Sequence, residues 1–240
     1  MSVLLLRLAG PLQSWGVTSR FTRRTTETAP SRSGVLGMIA AAQGRRRTDP
    51  LTDLLDLRFA VRVDQPGHLE RDFQTARSLD GSKAHPLSHR YYLADAVFVA
   101  GIEGDPELIA GIEHALRRPA FPLYLGRRSC PPTVPLVLGI REGNLYDELA
   151  REPWQAADWW KRKQRGQVRD LDLLADVGVI PQQPGQIREE PIRQRDVPVS
   201  FDPTMRQYGW REIERTTVPP PGEATNTPIE HDAMALLEAD

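Results

Sequence analysis

The stretch that most constrains this chain is an apolar run that stops abruptly and hands over to arginines. Val3 to Leu8 is nearly continuous in apolar residues, the pattern of a central strand covered on both faces. Gly10-Pro11 ends it, Gln13 and Trp15 follow at once, and Arg20, Arg23, Arg24 and Arg32 lie in a long basic loop over 16–32. Such a strand delivers an aromatic ring, an amide and several guanidiniums to one edge of a sheet. Those group types hold single-stranded nucleic acid: a ring to stack on, planar donors for phosphate, and little carboxylate to repel it.

The rest of the chain supplies the companions of that strand. Ser33 reads as the N-cap of a helix carrying Val35, Leu36, Met38, Ile39 and Ala40 to Ala42 and ending near Gly44. Gly34 and Gly37 lie in its first turns, where each glycine costs roughly 1 kcal/mol relative to alanine. A close approach by the sheet, or by a phosphate at the helix N-terminus, is the expected compensation. Leu57, Phe59, Val61 and Val63 alternate with Arg58, Ala60, Arg62 and Asp64, which predicts a half-buried strand. Pro66-Gly67 supplies a turn, and the polar, basic and aromatic stretch from His68 to Arg90 predicts a protruding hairpin or loop. Tyr91 to Ile102 returns to strand character. Asp105-Pro106-Glu107 starts a helix that Arg117-Arg118-Pro119 closes. A loop from Tyr124 to Pro132 and a strand through Pro135 to Ile140 complete the pattern.

Strand, helix, strand, protrusion, strand, helix, strand is the split βαββαβ order of ferredoxin-like and RRM folds. The expected organisation is an α+β domain over residues 1–150 with the insertion at about 66–91, a small β-rich region at 151–216, and a mobile acidic tail at 217–240. Trp154, Trp159 and Trp160 are read as core residues on a helix with a basic tail from Lys161 to Arg165. Further strands are expected at Ile187–Arg193, Val197–Phe201 and Gln207–Glu214.

Charge supports a nucleic-acid partner once it is split by position. Residues 1–47 hold eight arginines and one acid, Glu27, a net +7 within a chain of net −1, leaving −8 elsewhere. That asymmetry suggests a basic contact surface on an acidic body. The bare preference for arginine over lysine explains the residue type but not the clustering. A single cysteine, Cys130, excludes an intrachain disulfide framework and a Cys-rich zinc site. The apolar runs fall far short of the roughly 20 residues that span a bilayer, and Arg7 interrupts the first of them. A cytoplasmic protein without metal, cofactor or membrane contact is the expectation.

Four motifs in order carry a family resemblance. Leu8-Ala9-Gly10-Pro11-Leu12-Gln13-Ser14-Trp15-Gly16, Pro30-Ser31-Arg32-Ser33-Gly34-Val35-Leu36-Gly37, Arg90-Tyr91-Tyr92-Leu93-Ala94-Asp95-Ala96 and Pro122-Leu123-Tyr124-Leu125-Gly126-Arg127-Arg128-Ser129-Cys130-Pro131 resemble the CasD family. This is the subunit of type I-E CRISPR Cascade that caps the crRNA 5′ end. The match spans roughly residues 3–140; little after 150 can be aligned. The resemblance implies a RAMP-type RRM fold with a β-hairpin thumb. It also implies a non-catalytic role: gripping the 5′ handle of the crRNA, docking the large and backbone subunits, and meeting target DNA only indirectly.

Candidate RNA-binding residues are Gln13, Trp15, Arg20, Arg23, Arg24, Arg32, Ser33, Gln74, Thr75, Arg90, Tyr91, Arg127 and Arg128. Trp15 is either a base-stacking ring or a core tryptophan. Gln74 and Thr75 either line the RNA-facing side of the thumb or serve its turn. Arg45 to Arg47 read as helix-dipole complement and solvated charge. A rival reading uses Lys83, His85, His89 and Tyr91 or Tyr92 for metal-independent cleavage of a guide precursor, which needs a base within hydrogen-bond reach of a ribose 2′-OH. A protein-only scaffold would leave the +7 segment unexplained.

Overall fold

The computed structural model describes residues 1–17, 23–133, 135–165, 170–182 and 190–221. The chain runs β1 (Ser2–Ala9), β2 (Leu12–Gln13), β3 (Arg23–Arg24), α1 (Arg32–Ala42), α2 (Thr52–Leu55), β4 (Arg58–Gln65), β5 (His68–Gln74), β6 (Ser88–Ala94), β7 (Val97–Gly104), α3 (Pro106–Arg117), β8 (Val137–Glu142), α4 (Leu145–Arg151), α5 (Asp158–Gln164), β9 (Leu171–Asp176), β10 (Ile192–Ser200) and β11 (Gln207–Val218). It is a mixed α/β protein with two sheets among the described residues. The larger has seven strands in the order β10-β11-β9-β4-β7-β1-β8, and every pairing in it is antiparallel. The C-terminal strands therefore continue this sheet, instead of forming a region of their own after residue 150.

The apolar run of β1 does lie between two cores. Leu4, Leu6 and Leu8 face a cluster shared with α1 and α3, while Val3 and Leu5 face a second cluster with Leu145, Leu149 and Trp154. That second layer changes the reading of β4. Its polar positions were expected to meet water, but Arg62 and Asp64 are buried and paired there. Of the three tryptophans, Trp154 is buried ahead of α5 and Trp160 is half-buried, whereas Trp159 is 47% exposed and is not a core residue.

The hairpin of β5 and β6 leaves the large sheet where two unusual backbones meet. Gly67 has φ +69°, and a Cβ there would fall 2.4 Å from the Ala94 carbonyl oxygen. Asp95 has φ +55°. Together they turn both chains of the hairpin out of the sheet, so the expected single strand from Tyr91 to Ile102 is two: β6 in the hairpin and β7 in the core. β6 also pairs with β2 and β3 to complete the small sheet.

Helix starts follow local chemistry. Asp105 accepts the main-chain N–H bonds of Glu107 and Leu108 at 3.0 and 3.1 Å with proline at the first helical position, as the sequence predicts. In α1 the cap is Ser31, two residues ahead of the expected Ser33. The helix closes at Gly44, φ +75°, with Arg45 N–H donating to Ala40 and Gly44 N–H to Ala41, a Schellman motif.

Candidate nucleic-acid interface

A groove of about 710 Å³ opens along α1, a volume within the ~300–1,000 Å³ usual for ligand-holding clefts. Ser31, the cap of α1, and Ser33, Gly34 and Gly37 within the helix border it. The β2–β3 segment adds Ser14, Gly16 and Arg24, and the loop before β8 adds Tyr124, Gly126, Arg127 and Arg128. Past the helix end lie Arg45 to Arg47, the β10–β11 connection contributes Phe201 and Arg206, and the start of β11 contributes Tyr208. Among the described residues that line it, none is Asp or Glu. Of its seven guanidiniums Arg45 is ion-paired with Asp53, outside the lining, which leaves six and several half-exposed rings around a carboxylate-free groove, the chemistry that suits a polyanion with stackable bases.

The close approaches that glycine was expected to permit are made by aromatic rings, not by the sheet. A Cβ on Gly34 would lie 2.7 Å from the Trp15 ring, and one on Gly37 would lie 3.3 Å from Phe201. Nor is the N-terminus of α1 free for an anion. The Arg32 main-chain N–H donates to Asp196 at 2.7 Å and the Gly34 N–H to the Ser31 hydroxyl at 3.3 Å.

Three candidates are thereby structural. Trp15 is 0% exposed, its Nε1–H donates to Gln13 at 3.0 Å, and it presents no face on which a base could stack. Gln13 is equally buried and donates to the carbonyls of Leu8 and Ala96, tying the end of β1 to the start of β7. The guanidinium of Arg32 is turned inward to Asp176 at 3.0 Å and to the carbonyls of Leu55 and Leu57. Arg20 lies outside the described residues.

The remaining candidates divide between the groove and the small sheet. Arg24, Ser33, Arg127 and Arg128 border the groove, with Arg24 and Arg128 exposed. Arg127 does a bracing job as well: it donates to the carbonyls of Tyr91 and Arg24 at 3.1 and 2.8 Å and lies 4.7 Å from the Tyr92 ring centroid. Gly126 lets that loop pass tightly, since with φ +88° a Cβ would strike the Ser14 carbonyl oxygen at 1.7 Å. Arg23 sits 5.5 Å from the Tyr91 ring centroid, and β3 pairs in parallel with β6, bringing Arg23 and Arg24 beside His89 and Arg90. Burial opposes ionisation of Tyr92, but hydrogen bonds from Ser129, Arg127 and Arg90 outweigh it and hold the phenol below its ordinary pKa. The Nε–H of Arg90 and the Nδ1 of His89 are buried without a partner. Gln74 and Thr75 are exposed at the far end of β5, away from the groove lining.

Sequence reasoning missed the contribution of the C-terminal connection and discounted Arg46 and Arg47. No spacing signal marks them, because they meet only when β10 and β11 join the large sheet. Among the described residues, no helix is long and apolar enough to cross a membrane, and no group of three His, Cys, Asp or Glu is placed to hold a metal ion.

Comparison with known proteins places this geometry in context. Residues 3–214 match the family described as CRISPR-associated protein (Cas_Cas5). A CRISPR system Cascade subunit CasD from Escherichia coli (strain K12) is 38% identical over 158 residues, covering 58% of this chain and 70% of that one. A solved chain described as "CRISPR RNA-guided surveillance complex" superposes with a TM-score of 0.73 at 36% identity, covering 92% of this chain and 91% of its own. A second, "Crystal structure of Cas protein", gives 0.68 at 33% identity, covering 91% and 95%. A groove of arginines and rings beside a projecting hairpin, on a chain matched over most of its length, leads to one conclusion: this chain belongs to the CRISPR-associated protein (Cas_Cas5) family.

Proposed function

We propose that this chain is the Cascade subunit that holds the 5′ handle of the guide RNA, and that it acts by binding, not by cleavage. In this reading the groove along α1 receives the handle and the β5–β6 hairpin is the thumb that presses on the guide. The large and backbone subunits dock around it. The observation that carries the reading is the carboxylate-free groove bordered by Arg24, Arg128 and Arg206. The relatives' names support the assembly. A ferredoxin-like RAMP core is inferred alongside: the antiparallel order β8-β1-β7-β4, with α1 and α3 as the two connections, supports it.

Reversing both Arg24 and Arg128 to Glu is expected to strip guide RNA from the purified complex. For every phosphate that is no longer neutralised, the log–log salt dependence should flatten by about 0.7. Both side chains are exposed, so the fold should tolerate the change. Undiminished RNA retention with an unaltered slope would rule the groove out as the RNA site.

The ribonuclease alternative has weaker support. His85 is exposed at the hairpin tip, whereas His89 is half-buried on β6 opposite Phe73. Neither borders the groove. Labelled repeat RNA incubated with the chain in EDTA should stay intact. Cutting that disappears in His85→Ala or His89→Ala would establish the enzyme instead.

A further inference from the structure

The C-terminal third carries a feature to which the sequence assigns no role. Between β10 and β11 the chain makes a short ordered turn. Asp202 accepts the Thr204 N–H and hydroxyl at 2.7 and 2.6 Å, and Met205 N–H donates back to the Asp202 carbonyl at 3.2 Å. Phe201, just before the turn, lies over Gly37 on α1. Tyr208, just after it, meets Phe201 edge to face, with ring centroids 6.4 Å apart and planes at 69°. The Tyr208 carbonyl is held by the Arg195 guanidinium at 3.0 Å.

Phe201 is thus the ring that seats the turn on the helix, and Tyr208 stands on Phe201 with its own ring half-exposed in the groove. Arg206 is exposed between them in sequence and makes no ion pair among the described residues. Arg46 and Arg47, exposed past the end of α1, border the same groove. The bland interpretation is an aromatic pair that pins a hairpin and an arginine that meets water. It accounts for Phe201, but not for a half-exposed Tyr208 and a guanidinium with no ion pair among the described residues, both lining the same groove.

We propose that the β10–β11 connection is a nucleotide subsite of the groove, in which Tyr208 stacks a base of single-stranded RNA and Arg206 meets its phosphate. The proposal rests on the reading that the groove holds guide RNA, and deepens it: RNA entering past Arg24 and Arg128 continues along α1 toward Arg46 and Arg47 with Tyr208 as its platform. The ring offers a π-face and no pattern of donors, so this subsite accepts any base and tightens binding without reading sequence.

The test titrates the full chain with a fluorescein-labelled single-stranded RNA and compares four variants. Tyr208→Ala should weaken binding about 5- to 150-fold, the worth of one stacked base, while Tyr208→Phe stays within about twofold of the parent. Arg206→Gln should lower the salt slope by about 0.7. The fourth variant, Arg24→Glu with Arg128→Glu, reports on the groove itself. If it weakens binding while Tyr208→Ala and Arg206→Gln leave affinity and slope at the parent values, the subsite is wrong and the groove stands. If the parent binds no RNA, or none of the variants weakens it, the groove reading fails together with the subsite. Should Tyr208→Ala lower the urea unfolding midpoint, the exposed Arg206→Gln decides alone.

Discussion

Replacing Asp196 with alanine should destabilise the fold by about 3 kcal/mol, the lower end of the usual cost of breaking a buried ion pair, because Arg211 keeps its second carboxylate. Asp196 on β10 is fully buried. Its carboxylate accepts the first main-chain N–H of α1 at 2.7 Å and two bonds from the Arg211 guanidinium at 2.6 and 3.0 Å. Arg211 reaches on to Asp176 at 2.6 Å, and Asp176 in turn holds Arg32 at 3.0 Å and the Phe59 N–H at 2.9 Å. Two carboxylates and two guanidiniums therefore lock β10, β11, β9 and β4 to the start of α1. Burial alone would pull Arg211 down, but hydrogen bonds and charge from Asp196 and Asp176 hold its pKa above the ordinary value. Without Asp196, half of that compensation goes and the α1 N–H loses its acceptor. Asp196→Asn keeps an acceptor for the N–H and should lose less. The measurement is the urea midpoint at constant m-value; a loss below about 1 kcal/mol would show that the network is not what fastens these strands. RNA affinity should fall with it, because Phe201, Arg206 and Tyr208 border the groove only while β10 is docked.

Where local chemistry decided, the sequence was legible. The run of β1, the Asp105-Pro106 start of α3 and the exclusion of residues 68–90 from any core all depend on neighbours a few positions away, and they appear where expected. The misses share a different cause. Trp15 and Arg32 are residue types that both bind RNA and build interiors, and which role wins depends on distant partners: Gly34 makes the space for one ring, while Asp176 and Leu55 take the other's guanidinium. The break at Asp95 was invisible because β propensity runs on through Tyr91 to Ile102. Gly67, across the hairpin, shares in the turn. β9 was not anticipated, although Leu171, Leu173 and Ala175 alternate with Asp172, Leu174 and Asp176 and Gly178 at φ +81° turns the chain just after it, because six residues with Leu174 on the polar face give a weak period of two. The site followed the same rule: Arg24 and Arg128 could be picked from charge and motif, but the partners brought in by β10 and β11 required the sheet.

Arg62→Met should be at least as damaging as the loss of Asp196, and its pH dependence identifies why. Arg62 is 0% exposed on the central strand β4. It donates to both oxygens of Asp64 at 2.7 and 2.9 Å, and to the carbonyls of Leu149, Glu152 and Pro153 where α4 ends. Asp64 also accepts the Gln155 N–H at 2.6 Å, and its carbonyl takes the Trp154 indole N–H at 2.8 Å. One guanidinium thus satisfies the end of a helix and a carboxylate at once, which fastens the second core layer to the sheet. Burial pushes the Asp64 carboxyl above its ordinary pKa even with Arg62 beside it. Its folded value therefore exceeds its unfolded one, and its contribution to stability falls as pH rises through that window. Removing Arg62 raises the folded value further and widens the window. The loss should thus be about 3–5 kcal/mol near neutrality and smaller in acid, where Asp64 is protonated in both states and only the three stranded carbonyls remain costly. Adding Asp64→Leu should remove the pH dependence but recover only part of the loss, since no methionine or leucine can donate to those carbonyls and the Gln155 N–H then loses its acceptor. Urea unfolding of the single and double variants at neutral and acidic pH separates the two components. An equal loss at both pH values would mean that the carbonyls, not Asp64, are what Arg62 is there to satisfy.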